Sequence, residues 1–144
     1  MLSTADTITY RYVFNELDYQ QKGSLSLQQL QQALQSLDIA LNQDQLNRIL
    51  RTIDRNNDNY LIQFNEFCQL LYICNYADPT DPIQVLFFAA DENFNGKVDK
   101  QELYTLFKKL NITVNTVDVD RLFKKFGQEE LTYIQFKELI NQLK

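Results

Sequence analysis

The run Asp91-Glu92-Asn93-Phe94-Asn95-Gly96-Lys97-Val98-Asp99-Lys100-Gln101-Glu102 alternates oxygen-bearing side chains with other residues and ends on a carboxylate. Hard divalent cations such as calcium take six to eight oxygen ligands, supplied in one well-known arrangement from loop positions 1, 3, 5, 7, 9 and 12. Here those places hold Asp91, Asn93, Asn95, the carbonyl of Lys97, Asp99 and Glu102. Asp99 would act through a water and Glu102 would chelate with both oxygens. Gly96 stands where the chain must turn sharply, and Val98 is the aliphatic residue that packs inward. Phe87-Phe88 ahead and Leu103 behind complete a helix–loop–helix unit. An acidic, Asn-rich surface loop would not put ligands, glycine, aliphatic residue and both helices in one register.

Outward from this loop the hydrophobic period is helical. Leu27, Leu30, Leu34 and Leu37 form one stripe, and Leu46, Ile49, Leu50 and Ile53 the next. Leu103, Leu106, Phe107 and Leu110 form another, followed by Val119, Leu122, Phe123 and Phe126 and by Phe136, Leu139, Ile140 and Leu143. Ser26 with Gln29, Asn42 with Gln45, and Asp99 with Glu102 have the spacing of capping boxes, while Asp81-Pro82 reads as an N-cap with proline in the first turn. Eight helices are expected, over 4–17, 26–37, 42–53, 64–76, 82–90, 99–110, 116–126 and 135–143.

Loops of the same kind begin at Asp18, Asp54, Asp91 and Gly127, at successive offsets of 36, 37 and 36 residues. Loop one, 18–29, keeps Gly23 and Leu25 but offers Gln20, Lys22 and Gln29 at positions 3, 5 and 12. An ammonium sits where a cation belongs, and the bidentate carboxylate is missing; loop one is expected to be metal-free, with Lys22 bonded to Asp18 in the cation's place. Loop two, 54–66, begins with Asp54, Asn56 and Asp58, then runs one residue long: Ile62, Phe64 and Glu66 each come one position late. Asp54, Asn56, Asp58, the carbonyl of Tyr60 and Glu66 are the candidate set for a second, weaker metal site; the other reading is a loop that keeps its shape without metal. Loop four, 127–138, keeps Ile134, Phe136 and Glu138 but has Gly127, Leu131 and Thr132 at positions 1, 5 and 6, so its expected role is structural.

Four repeats at this spacing, with a complete third loop, resemble the EF-hand proteins of the calmodulin, troponin C and myosin light chain group over nearly the full chain. The resemblance implies an all-α fold of four EF-hand helix–loop–helix units in two lobes, each lobe with a short two-stranded β ribbon. Leu25 would face Leu61 or Ile62, and Val98 would face Ile134. The lobes would comprise 1–77 and 82–144, joined by a proline-containing linker at 78–81; Pro79 and Pro82 disfavour a continuous central helix. Each lobe is implied to hold a cleft for an amphipathic helix of another protein. The only methionine is Met1, so such clefts would be lined by stiffer Leu, Ile, Phe and Tyr, which points to one or a few dedicated partners.

The 144-residue chain carries a net charge of −5, contains no histidine, and has only 3 glycines and 2 prolines. Few turn formers argue against a fold of many short strands. Acidity argues against nucleic-acid binding. Without histidine there is no imidazole base, and no nucleophile or phosphate loop suggests an enzyme. Cys68 and Cys74 fall in an apolar helical stretch and read as buried free thiols. The N-terminal residues lack a signal-peptide pattern, position 2 is Leu rather than the Gly that myristoylation needs, and no apolar run reaches membrane-spanning length. A cytoplasmic protein without a membrane anchor is expected. The leading functional expectation is a calcium-binding regulatory protein, with Ca2+ mainly at loop three, that holds an amphipathic helix of a target. The alternative is a constitutive light-chain-like subunit of an unconventional myosin or other scaffold, with little calcium dependence.

Overall fold

A computed structural model describes residues 3–53 and 61–143. Among them the chain forms eight helices: α1 (Thr4–Leu17), α2 (Leu27–Ser36), α3 (Gln43–Ile53), α4 (Phe64–Tyr76), α5 (Pro82–Ala90), α6 (Lys100–Lys109), α7 (Thr116–Phe126) and α8 (Tyr133–Leu143). Four two-residue strands lie between them: β1 (Ser24–Leu25), β2 (Ile62–Gln63), β3 (Val98–Asp99) and β4 (Glu130–Leu131). No helix among the described residues is long and apolar enough to cross a membrane.

Local chemistry sets the helix starts. Ser26 and Gln29 exchange reciprocal hydrogen bonds (2.9 and 3.2 Å), as do Asn42 and Gln45 (3.2 and 2.8 Å). Each pair satisfies two backbone donors that the first helical turn leaves without intrahelical partners. Asp81 caps α5 by accepting from Ile83 N and Gln84 N, with Pro82 fixing the first turn. Helix periodicity then decides what is buried. In α3 the buried apolar residues are Leu46, Ile49, Leu50 and Ile53, a single stripe at 3–4 residue spacing. The exception is α4, in which eight consecutive residues from Glu66 to Ile73 are buried. A helix buried on every side is packed between other elements.

Those elements come from both halves of the chain. The antiparallel ribbon β1–β2 joins the first two helix–loop–helix units, with Leu25 opposite Ile62, and β3–β4 joins the last two, with Val98 opposite Leu131. α4 packs on α1, α3 and α5, and α3 also touches α5. Pro79 lies in a turn over Asp78–Asp81, where Thr80 N and Oγ1 both donate to Asp78 Oδ1 (2.9 and 2.6 Å). After this turn α5 runs back along α4: Tyr76 and Tyr72 meet the Phe88 ring, while Gln69, earlier in α4, reaches Asp91 at the end of α5. One apolar core therefore runs from Tyr10 and Phe14 through Phe67 and Leu71 to Phe87, Phe107 and Phe136.

Two expectations need correction. Val98 does not face Ile134, which is 76% exposed; its partner Leu131 is fully buried. Leu131 follows the α7 cap residue Gly127 by four residues, where Val98 follows the α5 cap residue Asp91 by seven. Loop four is thus three residues shorter than loop three, and α8 begins at Tyr133 rather than 135. Of the two cysteines, Cys68 is buried and Cys74 only half-buried; both are free thiols. Burial pushes Cys68 up to about 11 and Cys74 up to about 12, so neither is a ready thiolate near neutral pH.

Candidate metal centre

Loop three hangs between the end of α5 and the start of α6. Asp91 closes α5 by donating its N–H to the carbonyl of Phe87 (3.1 Å). Its carboxylate then gathers the loop around itself: Oδ1 accepts from Asn95 N (3.2 Å) and Oδ2 from Gly96 N (2.8 Å). Gly96 adopts φ +81°, a left-handed conformation that carries no Cβ penalty in glycine. Asn93 Oδ1 also accepts from Asn95 N (3.3 Å), and Asn95 Oδ1 accepts from Lys97 N (3.0 Å).

The second half of the loop is fixed by the capping pair of α6. Asp99 Oδ1 accepts from Glu102 N (2.7 Å), and Glu102 Oε1 accepts from Asp99 N (3.0 Å). Glu102 Oε2 also accepts from Asn93 N (3.3 Å), tying the last loop residue to the third. The six sequence-chosen residues, Asp91, Asn93, Asn95, Lys97, Asp99 and Glu102, therefore lie in one continuous hydrogen-bonded loop. Lys109 Nζ holds the flank through Glu92 Oε1 (3.0 Å).

The electrostatics of this loop fit a cation. Asp91 is fully buried and Glu102 nearly so. Burial raises both carboxyl groups above the usual carboxylate range, because a desolvated anion is costly. Among the described residues no three Asp, Glu or Cys side chains converge on one point. The loop's other side-chain and carbonyl oxygens at the sequence-expected positions are those of the Asn93 and Asn95 amides and the Lys97 carbonyl, oxygen types that calcium accepts.

Loop one has the same backbone shape without the ligands. Asp18 Oδ1 and Oδ2 accept from Lys22 N and Gly23 N (both 2.9 Å), the counterparts of the Asp91 bonds. Positive φ recurs at matching positions: Gln21 and Gly23 here, Phe94 and Gly96 in loop three. Lys22 bonds Asp18 through its backbone, and its exposed ammonium does not pair with Asp18; the expectation of an ammonium in the cation's place is corrected. Gln29 closes the loop from the inside, its Nε2 donating to the Leu17 carbonyl (2.9 Å).

Of the weaker candidate set, Asp54, Asn56, Asp58 and Tyr60 lie outside the described residues. Glu66 is buried, with Oε1 accepting from Gln63 N (3.0 Å). Ile62 rather than Leu61 faces Leu25, so the ribbon residue is the ninth counted from Asp54. In loop four, Gly127 is a left-handed helix cap (φ +65°) that donates to the carbonyls of Phe123 and Lys124, and Thr132 with Gln135 caps α8. Glu138 lies within α8 and meets Lys125 Nζ (3.3 Å).

Three residues at loop three escaped the sequence reading. Tyr72 of α4 donates its hydroxyl to Asp91 Oδ2. Gln69 Nε2 donates to the carbonyls of Phe88 (2.5 Å) and Asp91 (3.3 Å). Glu130 Oε2 accepts from Asn95 Nδ2 (2.7 Å), while the Asn95 oxygen accepts from Lys97 N (3.0 Å). A glutamine inside the apolar run Phe67-Cys68-Gln69-Leu70-Leu71 was the one available signal, since a buried amide demands partners.

Comparison with known proteins bears on the fold rather than on loop three. The model of the EF-hand domain pair matches residues 9–72. The chain is 30% identical over 137 residues to a probable calcium-binding protein of Arabidopsis thaliana, CML18, covering 92% of this chain and 81% of that one. It is 22% identical to the calcium-binding protein CML19 of the same plant, over 93% and 80% of the two chains. A rabbit (Oryctolagus cuniculus) mitochondrial adenyl nucleotide antiporter, SLC25A24, matches at 26% identity over 90% of this chain but only 26% of its own length.

Proposed function

The chain belongs to the calmodulin-like EF-hand family, and from that premise we propose that it is a calcium-dependent regulator whose working metal site is loop three. The observation that carries this reading is the buried Asp91–Glu102 pair, two desolvated carboxylates in a loop that presents further amide and carbonyl oxygens. Bound calcium would supply positive charge at the point where burial makes these anions costly. Asp91 and Glu102 would be the principal ligands, with Asn93, Asn95 and the Lys97 carbonyl, and Asp99 through a water. Loops one and four supply no comparable set. Asp54, Asn56, Asp58, the Tyr60 carbonyl and Glu66 are the candidate set for a second, weaker site, which a second step in a calcium titration would reveal.

The regulated partner in this reading is an amphipathic helix with basic character, drawn by the net charge of −5. In the described conformation Leu103, Leu106, Phe107, Val119 and Phe136 are all buried. Such a helix would therefore be received by an opening of the C-terminal pair. A second reading, a constitutive light-chain-like subunit, draws support from loop one, in which the neutral Gln29 takes the place of the bidentate carboxylate and bonds the Leu17 carbonyl. Both readings place the protein in the cytoplasm and need no membrane anchor.

Calorimetric titration of the full chain and of Glu102→Gln tests the site: the variant is expected to lose most calcium binding, and an unchanged isotherm refutes the assignment. Capture of helical partners from cell extract, with calcium and with chelator, separates the two functional readings. Equal capture in both conditions leaves the constitutive subunit.

A further inference from the structure

Tyr72 belongs to the N-terminal pair of EF-hands, yet it touches loop three twice. Its hydroxyl donates to Asp91 Oδ2, and its ring lies edge-on to Phe94 with centroids 5.0 Å apart. These are the first and fourth residues of the loop. Tyr72 and Asp91 are both fully buried, so no solvent competes for the bond.

The hydrogen-bond inventory of Asp91 gives the contact a consequence. Oδ2 accepts from Gly96 N and from Tyr72, which engages both of its lone pairs; among the described residues Oδ1 accepts only from Asn95 N. The lone pair left for a cation is therefore on Oδ1. Without the phenol, either oxygen can turn toward a metal. Phe94 adds a second hold, because its backbone is left-handed at φ +59°, a conformation uncommon for an aromatic residue. The Tyr72 ring packs against the side chain that this turn projects. Gln69, one helical turn before Tyr72, secures the same junction through the Phe88 and Asp91 carbonyls.

We propose that Tyr72 is a positioning residue of the loop-three calcium site, so that occupancy of that site and docking of α4 on α5 strengthen each other. The inference rests on the reading that loop three holds calcium. Coupling of two equilibria is reciprocal: whatever docking adds to metal affinity, the metal adds to docking. A target that pried the two EF-hand pairs apart would thereby weaken calcium binding, and calcium would resist such separation.

The test uses the full chain, its Tyr72→Phe and Glu102→Gln variants, calcium calorimetry, and amide exchange of residues 64–76 with and without calcium. Tyr72→Phe keeps the ring on Phe94 and removes only the donor. It is expected to weaken loop-three binding roughly tenfold, as loss of a group that orients a metal ligand commonly does. Calcium is expected to slow α4 exchange in the parent chain, and less so in the variant. Unchanged or tighter binding in a folded Tyr72→Phe overturns the inference while a loss in Glu102→Gln leaves loop three standing. Parent-like binding in Glu102→Gln overturns the loop-three reading and this inference with it. Should Tyr72→Phe fail to fold, the parent chain decides: calcium-slowed exchange in α4 supports the coupling, and calcium-independent exchange there overturns it.

Discussion

At the scale of single residues, loops one and three build one backbone shape around different twelfth residues. In both, the first aspartate accepts from the N–H groups of the fifth and sixth residues, so the turn is made by protein donors. The twelfth residue separates them. Glu102 is a buried carboxylate, whereas Gln29 uses both ends of its amide, accepting from Ser26 N and donating to the Leu17 carbonyl. Gln29→Glu would set a carboxylate oxygen against that carbonyl and leave it without its donor. We expect a loss of about 1–2 kcal/mol, the usual cost of stranding a partly buried polar group. Thermal unfolding in chelator should show it, and calorimetry should show no new calcium site, because Lys22 and Gln20 still stand where ligands belong. A gained site would mean that loop one is a latent metal loop, one carboxylate short of binding, rather than a purely structural one.

At the scale of elements, the paired loops meet in two-residue ribbons, and loop four shows how much one such pair depends on register. Leu131 is fully buried against Val98, while Ile134 on α8 is 76% exposed. Leu131→Ala should therefore destabilise the protein by about 2–4 kcal/mol, as large-to-small core changes do. Ile134→Ala should stay within about 0.5 kcal/mol. Denaturant unfolding of the two variants decides; the reverse order would restore the register that the family resemblance implied. That register is hidden in the sequence for a physical reason. Ile134, Phe136 and Glu138 imitate the second half of a full loop, and a three-residue contraction leaves no mark on composition. Where capping chemistry was explicit, at Ser26, Asn42, Asp81 and Asp99, helix starts were legible to within a residue. The ligand loop was legible because its chemistry is local. Tyr72 and Glu130 were not, since they reach loop three from 19 and 35 residues away, and one sequence carries no sign of such meetings. Gln69 alone left a trace, as an amide among apolar neighbours.

At the scale of the whole molecule, the decisive feature is that α4 is common property. Its residues Phe67, Leu70, Leu71 and Ile73 are each at most 1% exposed, with α1, α3 and α5 all packed on the helix. Two EF-hand pairs tethered by a flexible linker would unfold separately, and calcium in loop three would raise only the transition of the pair that contains it. Here neither pair can unfold without baring the α4–α5 junction to water, at a cost on the order of 25 cal/mol for each Å² of apolar surface. We therefore expect the chelated full chain to unfold in one transition, with calorimetric and van't Hoff enthalpies equal. Calcium at about a hundred times its dissociation constant should stabilise that single transition by about 2.7 kcal/mol. For a chain of this size the midpoint should rise by roughly 5–10 °C. Tyrosine absorbance is a suitable second probe, because Tyr10 is buried in the first pair, Tyr72 is buried at the α4–α5 junction, and Tyr104 and Tyr133 are half-buried in the last pair. Two transitions in the chelated chain, with only the upper or the lower one moved by calcium, would show that the α4–α5 junction separates before either pair melts. Calcium in loop three would then act on its own pair alone.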